Sequence, residues 1–213
     1  MTAEADPASS PVSGPAPPGA LTERQEARRL DILRATVRLA RRGGFDAVQM
    51  REVAEEAGVA LGTLYRYFPS KIHLLVATLL DRLEQLHATL RERPPSGGSA
   101  AERVGETLLR ACRALQRDPC LADAMLRALT FADRGVSAEV ASVSRRTTAI
   151  ILDAMGPAVG PYGPTPQQLS AVRVVEHTWR AVLVGRLAGR ASAEEVRTDL
   201  ATACRLIELT VPR

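Results

Sequence analysis

The sequence predicts an all-α protein of nine helices in two domains, with a three-helix helix-turn-helix head on a helical body. Apolar residues recur three and four positions apart in segment after segment, which is the spacing of amphipathic helices. Clusters of glycine, proline and serine separate these segments, each of which has the length of a helix. No stretch alternates like a strand. We expect residues 1–20 to form a disordered tail, residues 21–70 the head, and residues 71–213 the helical body.

The tail and the first helix differ sharply in composition. Residues 1–20 consist mostly of proline, alanine, serine and glycine, which is typical of disorder. Thr22 and Gln25 then fit a capping box, so we predict that the first helix begins there. Its apolar stripe continues to about Arg42, and the pair Gly43-Gly44 ends it.

Two short helices around a glycine turn follow. The first is predicted from Met50 to Ala57 and the second from Ala60 to Phe68, with Gly58 in the turn between them. Pro69 ends the second helix, and Ser70 fits the N-cap of the next one. This arrangement places a second helix in the major groove of DNA in helix-turn-helix proteins. Two ordinary core helices are the alternative.

Polar and basic residues favour the DNA-binding interpretation. The outward side of the second short helix carries Thr63, Tyr65, Arg66 and Tyr67, which can donate hydrogen bonds to phosphates or bases. Lys71, the only lysine of the chain, lies in the first turn of the following helix, where a phosphate is already favoured. Residues 21–71 hold ten basic and seven acidic residues. Their difference, 10 − 7 = +3, is most of the net charge of +4 of the whole chain.

The remaining two thirds of the chain read as six further helices. We predict them at about residues 71–90, 99–117, 121–131, 138–155, 165–189 and 192–209. The first of these would span about 30 Å and connect the head to the body as a lever. The last two are apolar on more than one face, which predicts a homodimer through a four-helix bundle.

Large apolar residues of the body are candidates for lining an effector pocket, although they could equally form the core. These candidates are Leu109, Met125, Leu129, Phe131, Trp179 and Leu183.

No catalytic or metal-binding pattern stands out. We find no phosphate loop, nucleophile elbow or zinc-protease motif, so we expect no enzyme and no cofactor. The three histidines are far apart in sequence, and no metal site is expected. The three cysteines have no paired spacing, which fits a reducing cytoplasm; a redox sensor is the less favoured interpretation. No apolar run reaches the length of a membrane span, and no secretion signal is expected.

The segment GVALGTLYRYFPSK, residues 58–71, resembles the signature of TetR-family transcriptional regulators, roughly G(V/I)xxGTLYxYFxxK. The longer run from Arg42 to Leu75 is similar to the actinobacterial KstR group of that family, which represses genes of steroid and cholesterol catabolism. Weaker similarity extends through QRDPCLADAMLRALTFAD and RLAGRASAEEV.

The resemblance implies roles for individual residues of the head. Those implied to lie nearest base edges are Arg51, Ala60, Leu61 and Gly62. Arginine binds guanine with two hydrogen bonds, so Arg51 is the best single reader of sequence. Leu61 and Gly62 lack hydrogen-bonding side chains, so reading there would use methyl or backbone contacts. The implied phosphate contacts are Thr63, Tyr65, Tyr67 and Lys71.

The resemblance also implies partners. They are a palindromic double-stranded operator, a second copy of the chain, and an apolar effector of the class of a sterol-derived acyl-CoA that releases the operator. The alternative within the family is a regulator of efflux or fatty-acid genes that senses another lipophile. Arg127, Arg145, Arg146 and Arg180 could meet CoA phosphates or be plain surface charges. A dimer that has lost DNA binding is a further alternative, against which the intact Tyr65, Tyr67 and Lys71 argue.

Overall fold

The protein is described by a computed structural model, which covers residues 18–211, with side chains from residue 23. Residues 18–211 contain nine α-helices and two short 3-10 turns, without a strand. The all-α prediction is therefore confirmed. Most of the predicted tail, residues 1–17, lies outside the described residues.

The helices follow the predicted order. They are α1 (Pro18–Ala47), α2 (Met50–Glu56), α3 (Leu61–Tyr67), α4 (Lys71–Glu92), α5 (Ala100–Gln116), α6 (Pro119–Phe131), α7 (Ser137–Met155), α8 (Pro166–Leu187) and α9 (Ala193–Glu208). The 3-10 turns, Arg134–Val136 and Gly156–Ala158, flank α7.

The start of α1 differs from the prediction. The helix begins at Pro18, so Thr22 lies inside it and is not its N-cap, and residues 18–20 are helical. The glycine pair interrupts the helix as expected. Gly44 has φ 66°, a left-handed conformation that glycine adopts without strain, and the chain continues in a short turn to Ala47.

The first three helices, which we call the head, share a small apolar core. Ile32 and Leu33 of α1, Val53 of α2 and Leu64 of α3 are fully or almost fully buried. Phe68 closes this core just after α3. Because every helix of the head contributes to one core, the orientation of α3 is fixed by α1 and α2.

Side-chain caps fix the beginnings of several later helices. Ser70 accepts a hydrogen bond from the backbone N–H of His73 at the start of α4, as predicted. Complete capping boxes open α5, α8 and α9, with Ser99, Thr165 and Ser192 as the caps. These three boxes confirm the starts that the sequence predicts. Capping typically contributes about 1 kcal/mol per helix.

Helix α4 connects the head to the remaining helices, α5–α9, which we call the body. It packs against α1 at one end and against α6 and α7 along its length. Helix α1 makes its most extensive contacts with α6. The head is therefore held by two body-facing helices, α4 and α6.

A buried polar contact ties α4 to α7. His87 is 4% exposed, and its Nε2 lies 2.7 Å from Oδ2 of Asp153. Arg91 donates to the same oxygen at 2.9 Å. Burial raises the pKa of Asp153, but the hydrogen bonds from Arg91 and His87 outweigh it and hold the pKa below the usual value of 3.8.

Candidate nucleic-acid interface and effector cavity

The turn between α2 and α3 has helix-turn-helix geometry. Gly58 adopts φ 64°, and the N–H of Val59 donates to the carbonyl of Ala54 at 2.9 Å. The turn directs Leu64 into the core, while the opposite side of α3 faces outward. A short helix is thereby presented on the surface of the head by two glycine-dependent breaks, at Gly44 and Gly58.

The outward side of α3 consists of the residues that the sequence predicts at the DNA. Ala60 is the extended N-cap, and the first turn follows with exposed Leu61 and Gly62 and half-buried Thr63. Tyr65 is 46% exposed. A Cβ added at Gly62 would meet no protein atom within 4 Å. Packing within the chain therefore does not require glycine at this position.

Tyr67 and Arg51 differ in how firmly they are held. Tyr67 is half-buried, and its ring lies 6.3 Å from that of Phe68. Arg51, on the first turn of α2, has a side chain that is 85% exposed and only a long ion pair of 3.5 Å to Glu55. Such an exposed pair contributes little stability, so Arg51 is free to reorient toward a base.

Lys71 starts α4 beside the head. Its ammonium lies 4.0 Å above the ring of Phe45, close enough for a cation–π contact. Burial lowers the pKa of Lys71 from its ordinary value, and Arg127 lowers it too, while Asp46 acts in the opposite direction. The lysine is thus positioned by an aromatic ring at a helix N-terminus.

Several basic residues of the head are committed to ion pairs. Arg38 and Arg42 bind the two oxygens of Glu56 at 2.7 and 2.9 Å, which ties α1 to α2. Hydrogen bonds from these arginines lower the pKa of Glu56. Arg41 pairs with Asp118 of the body at 2.8 Å. Glu56 is already among the seven acidic residues counted above, so of these pairs only that of Arg41 with Asp118 reduces the counted basic excess.

The head meets α6 in an aromatic contact, which we call the junction cluster: Phe45, Lys71, Arg127 and Phe131. The rings of Phe45 and Phe131 meet edge to face with centroids 5.6 Å apart. The guanidinium of Arg127 lies 4.7 Å from the Phe45 ring centre and pairs with Asp46 at 3.2 Å. This cluster links the proposed phosphate contact Lys71 directly to α6.

A cavity of about 360 Å³ lies between α4 and the body, with residues of helices α4 to α8 forming its wall. Most of the wall is apolar, from residues such as Leu79, Leu83 and Val143. Its exposed members include Gln85, Thr89 and Arg117, which form the rim. The cavity is thus an apolar chamber with a polar rim, which is the usual construction of a small-molecule site.

Four of the six predicted pocket residues line this cavity: Met125, Leu129, Trp179 and Leu183. The other two lie elsewhere. Phe131 is 56% exposed and packs on Phe45 in the junction cluster, and half-buried Leu109 packs against the core on another side of α5. Helical spacing shows that a residue lies on an apolar face of its helix, but it does not show whether that face meets the cavity or the packed core.

The sequence analysis missed polar residues within the wall. Glu176 of α8 is only 6% exposed, and its Oε1 accepts hydrogen bonds from Ser144 at 2.7 Å and Arg180 at 3.2 Å. A carboxylate among the apolar positions of α8 was the available signal. Of the four arginines considered for CoA, only Arg180 lines the cavity; Arg127 and Arg146 pair elsewhere with carboxylates, and Arg145 donates to Ser142.

The buried cysteines have the properties of core residues. Trp179 donates from Nε1 to the sulfur of Cys112 at 3.3 Å. Burial raises the pKa of the Cys112 thiol and raises the pKa of Cys204 to about 11. Thiols that stay protonated react slowly with oxidants, so these two cysteines do not favour a redox sensor. Within residues 18–211 no cluster of three metal-binding side chains occurs, and no helix there is long and apolar enough to cross a membrane.

Two family models match the chain. The model described as bacterial regulatory proteins, tetR family, matches residues 32–78, and that of the tetracyclin repressor-like C-terminal domain matches residues 97–207. The chain therefore belongs to the TetR family of bacterial regulators. This membership also confirms the expectation that the protein is a regulator and not an enzyme.

The curated proteins that the chain resembles include transcriptional repressors named KstR. The chain is 44% identical over 183 residues to the HTH-type transcriptional repressor KstR of Rhodococcus jostii (strain RHA1), covering 86% of this chain and 84% of that protein. It is 40% identical over 186 residues to the KstR repressor of Mycobacterium tuberculosis (strain ATCC 25618 / H37Rv), covering 87% and 83%. The predicted resemblance to KstR repressors is confirmed.

Solved structures share the fold. A TetR transcriptional regulator from Rhodococcus sp. RHA1 superposes with a TM-score of 0.79 at 37% identity, over 86% of this chain and 97% of that one. FadR from Bacillus subtilis, solved in complex with stearoyl-CoA, superposes with a TM-score of 0.59 over 85% of this chain and 97% of that one. At 18% identity, this likeness shows a shared fold only.

Proposed function

We propose that this protein is a homodimeric transcriptional repressor that binds a palindromic operator through α3 and is released by an apolar effector, a sterol-derived acyl-CoA. In this proposal residues 21–70 bind DNA, and residues 71–213 bind the effector and form the dimer. Identity of 40–44% with KstR repressors, extending across both head and body, supports the repressor assignment.

The exposed side of α3 supports the DNA contacts. Leu61, Gly62 and Tyr65 are all exposed on this side of the helix, so a partner can reach the three of them together. Arg51 would read a base edge, while Thr63, Tyr65, Tyr67 and Lys71 would bind phosphates. Phosphate contacts provide affinity and salt dependence, and the base contacts provide specificity.

The apolar cavity is the observation that carries the effector assignment. Its wall includes Leu79 and Leu83 of α4 and Met125 and Leu129 of α6. These are the two helices that hold the head. An effector that prefers a wider spacing of α4 and α6 would therefore shift both heads of a dimer and mismatch them to the operator, without touching DNA.

An acyl-CoA suits the two characters of this cavity. The apolar acyl group would occupy the chamber, and the CoA would lie toward its exposed lining residues, where Arg117 offers a guanidinium. Guanidinium groups are good partners for phosphates. The complex of FadR with stearoyl-CoA indicates that this fold can admit an acyl-CoA. The similarity to KstR repressors favours a sterol skeleton over a straight chain, because the KstR group represses genes of steroid catabolism.

The test is binding of the purified protein to DNA from its own upstream region, measured with and without ligand. We expect a sterol-derived acyl-CoA to release the DNA, and the corresponding free acid to have no effect. Stearoyl-CoA is the matched control for skeleton. Release by stearoyl-CoA alone would support the fatty-acid alternative, and specific binding that no acyl-CoA changes would discard this class of effector. Absence of specific binding would contradict the repressor assignment itself.

A further inference from the structure

Two carboxylates line the effector cavity, and only that of Glu176 is buried; Asp118, at the start of α6, is 36% exposed and pairs with Arg41. Glu176 lies on α8, one turn before Trp179, and its side chain is 8% exposed. Buried carboxylates are costly unless hydrogen bonds compensate them. A wall whose only task was to hold an apolar group would be more stable with leucine or methionine at this position.

Only one oxygen of this carboxylate is engaged. Ser144 of α7 and Arg180 of α8 both donate to Oε1. Within residues 18–211, Oε2 accepts no hydrogen bond, and it is not among the polar atoms sealed from the cavity and solvent. The serine and arginine fix the carboxylate in place, and they leave a free, oriented acceptor at the cavity wall.

We propose that Oε2 of Glu176 accepts a hydrogen bond from a hydroxyl group of the effector, so that the cavity selects an apolar alcohol over the matching ketone. The proposal rests on the proposed function in taking this cavity as the effector site. Glu176 is a specificity-determining residue in this scheme, and the effector class becomes a hydroxylated polycyclic acyl-CoA.

The chemistry of the site favours a hydroxyl over other polar groups. An anionic group would meet the negative charge of Glu176. A ketone has no proton to donate, so it would leave Oε2 without a hydrogen bond. The position also fits a ligand with two polar ends, because Glu176 is buried whereas Arg117, Gln85 and Thr89 at the rim are exposed. The hydroxyl would lie inside and the CoA outside.

Trp179 supplies a direct readout, since it is the only tryptophan of the chain and lines the same cavity. Its fluorescence would be titrated with two CoA thioesters of one sterol acid that differ only in a 3-hydroxyl or a 3-keto group. Calorimetry provides a second measure of each Kd. We expect the wild-type protein to bind the alcohol at least about tenfold more tightly, since hydrogen bonds to a charged group are strong.

The deciding variant is Glu176→Gln, which keeps the shape and replaces one acceptor oxygen by an amide that can donate. This change should abolish or invert the preference for the alcohol. Glu84→Gln is the matched control, because Glu84 is an exposed carboxylate on α4 outside the cavity wall. It should leave the preference unchanged, and circular dichroism melting would show that both variants fold.

The outcomes separate this inference from the proposed function. Equal binding of both sterol ligands, or a preference for the alcohol that survives in Glu176→Gln, would overturn the role of Glu176 while keeping the sterol effector. If neither sterol ligand binds, the sterol class fails, and a hydroxy- and oxo-stearoyl-CoA pair then tests the same contact on a different skeleton. Failure of both pairs would overturn both proposals.

Discussion

At the scale of single residues, the proposed DNA surface divides by how firmly the structure holds each side chain. Arg51 is almost free in solvent, with one weak ion pair to Glu55. Lys71 is positioned by the ring of Phe45 and by its place at the start of α4. A free arginine can adjust to a base edge, whereas a positioned lysine suits a fixed backbone phosphate. Replacing Arg51 and replacing Lys71 should therefore change DNA binding in different ways.

We expect Arg51→Ala to relax sequence preference. If Arg51 binds a guanine, its loss should reduce discrimination at that base by about 1–3 kcal/mol and leave binding to unrelated DNA almost unchanged. Competition against a library of single-base operator variants measures this directly. Arg145→Ala is the control, because this exposed arginine lies on α7 in the body. An unchanged base preference would remove Arg51 from the reading surface.

Lys71→Ala should instead weaken binding to every DNA sequence. One lost phosphate contact is expected to flatten the slope of log K against log salt by about 0.9. Titrations between low and moderate salt would give this slope. Lys71→Arg, which keeps the charge and the contact with the Phe45 ring, should restore most of it. A slope in Lys71→Ala equal to that of the wild type contradicts the phosphate role.

At the scale of elements, α6 serves two surroundings. Met125 and Leu129 face the cavity, and Phe131 at its C-terminal end packs on Phe45 of the head. The helix therefore gives any effector in the cavity a mechanical connection to the head. Phe131, which the sequence analysis took for a pocket residue, therefore lies outside the cavity.

Phe131→Ala should separate effector binding from DNA release. The residue lies outside the cavity, so the Kd of the effector should stay within about twofold of the wild type. Loss of the edge-to-face contact, which typically contributes about 0.5–1.5 kcal/mol, should weaken the effect of the effector on DNA affinity. Fluorescence of Trp179 would report the first quantity and DNA binding the second.

Leu129→Ala supplies the reciprocal comparison on the same helix. Because Leu129 lines the cavity, its truncation should weaken effector binding while the junction cluster stays intact. If Phe131→Ala and Leu129→Ala gave the same pattern, the assignment of two separate roles along α6 would be wrong.

Element boundaries were largely predictable, because caps and glycine breaks are local. Ser99, Thr165 and Ser192 mark helix starts through contacts with residues three positions away. Long-range arrangements were not predictable from the sequence. The periodicity of α5 and α6 identifies Leu109 and Phe131 as apolar, but only the packing of distant helices decides which apolar residues face a cavity. The start of α1 at Pro18 was also missed, because no hydrophobic stripe marks its first turns.

At the scale of the whole molecule, the proposed repressor needs two heads at a fixed separation. Helices α8 and α9 pack on one another and still expose apolar residues. Val174 and Val184 of α8 are 44% and 38% exposed, Leu206 of α9 is 37% exposed, and Leu209 just after α9 is 83% exposed. These residues would be covered if two copies joined through α8 and α9. The half-sites of the operator would then be spaced by about 34 Å or a longer matched interval.

Val184→Glu should therefore disrupt the dimer. A charge buried in the proposed apolar interface would have no partner, so sedimentation should show monomers at concentrations where the wild type is dimeric. Tyr162→Glu is the matched control, because Tyr162 is fully exposed in the loop before α8 and should leave the dimer intact. Affinity for the palindromic operator should fall by about two orders of magnitude or more, since two heads no longer bind together.

Binding to a single half-site distinguishes the reasons for such a loss. A monomeric Val184→Glu protein with an intact head should bind an isolated half-site as the wild type does, because α3 lies in the head with Lys71 beside it, and the substitution lies on α8. If half-site binding also fell, the substitution would have perturbed the head through the body. If Val184→Glu remained dimeric, the two copies would have to meet through another surface, and the spacing of the heads would need a different origin.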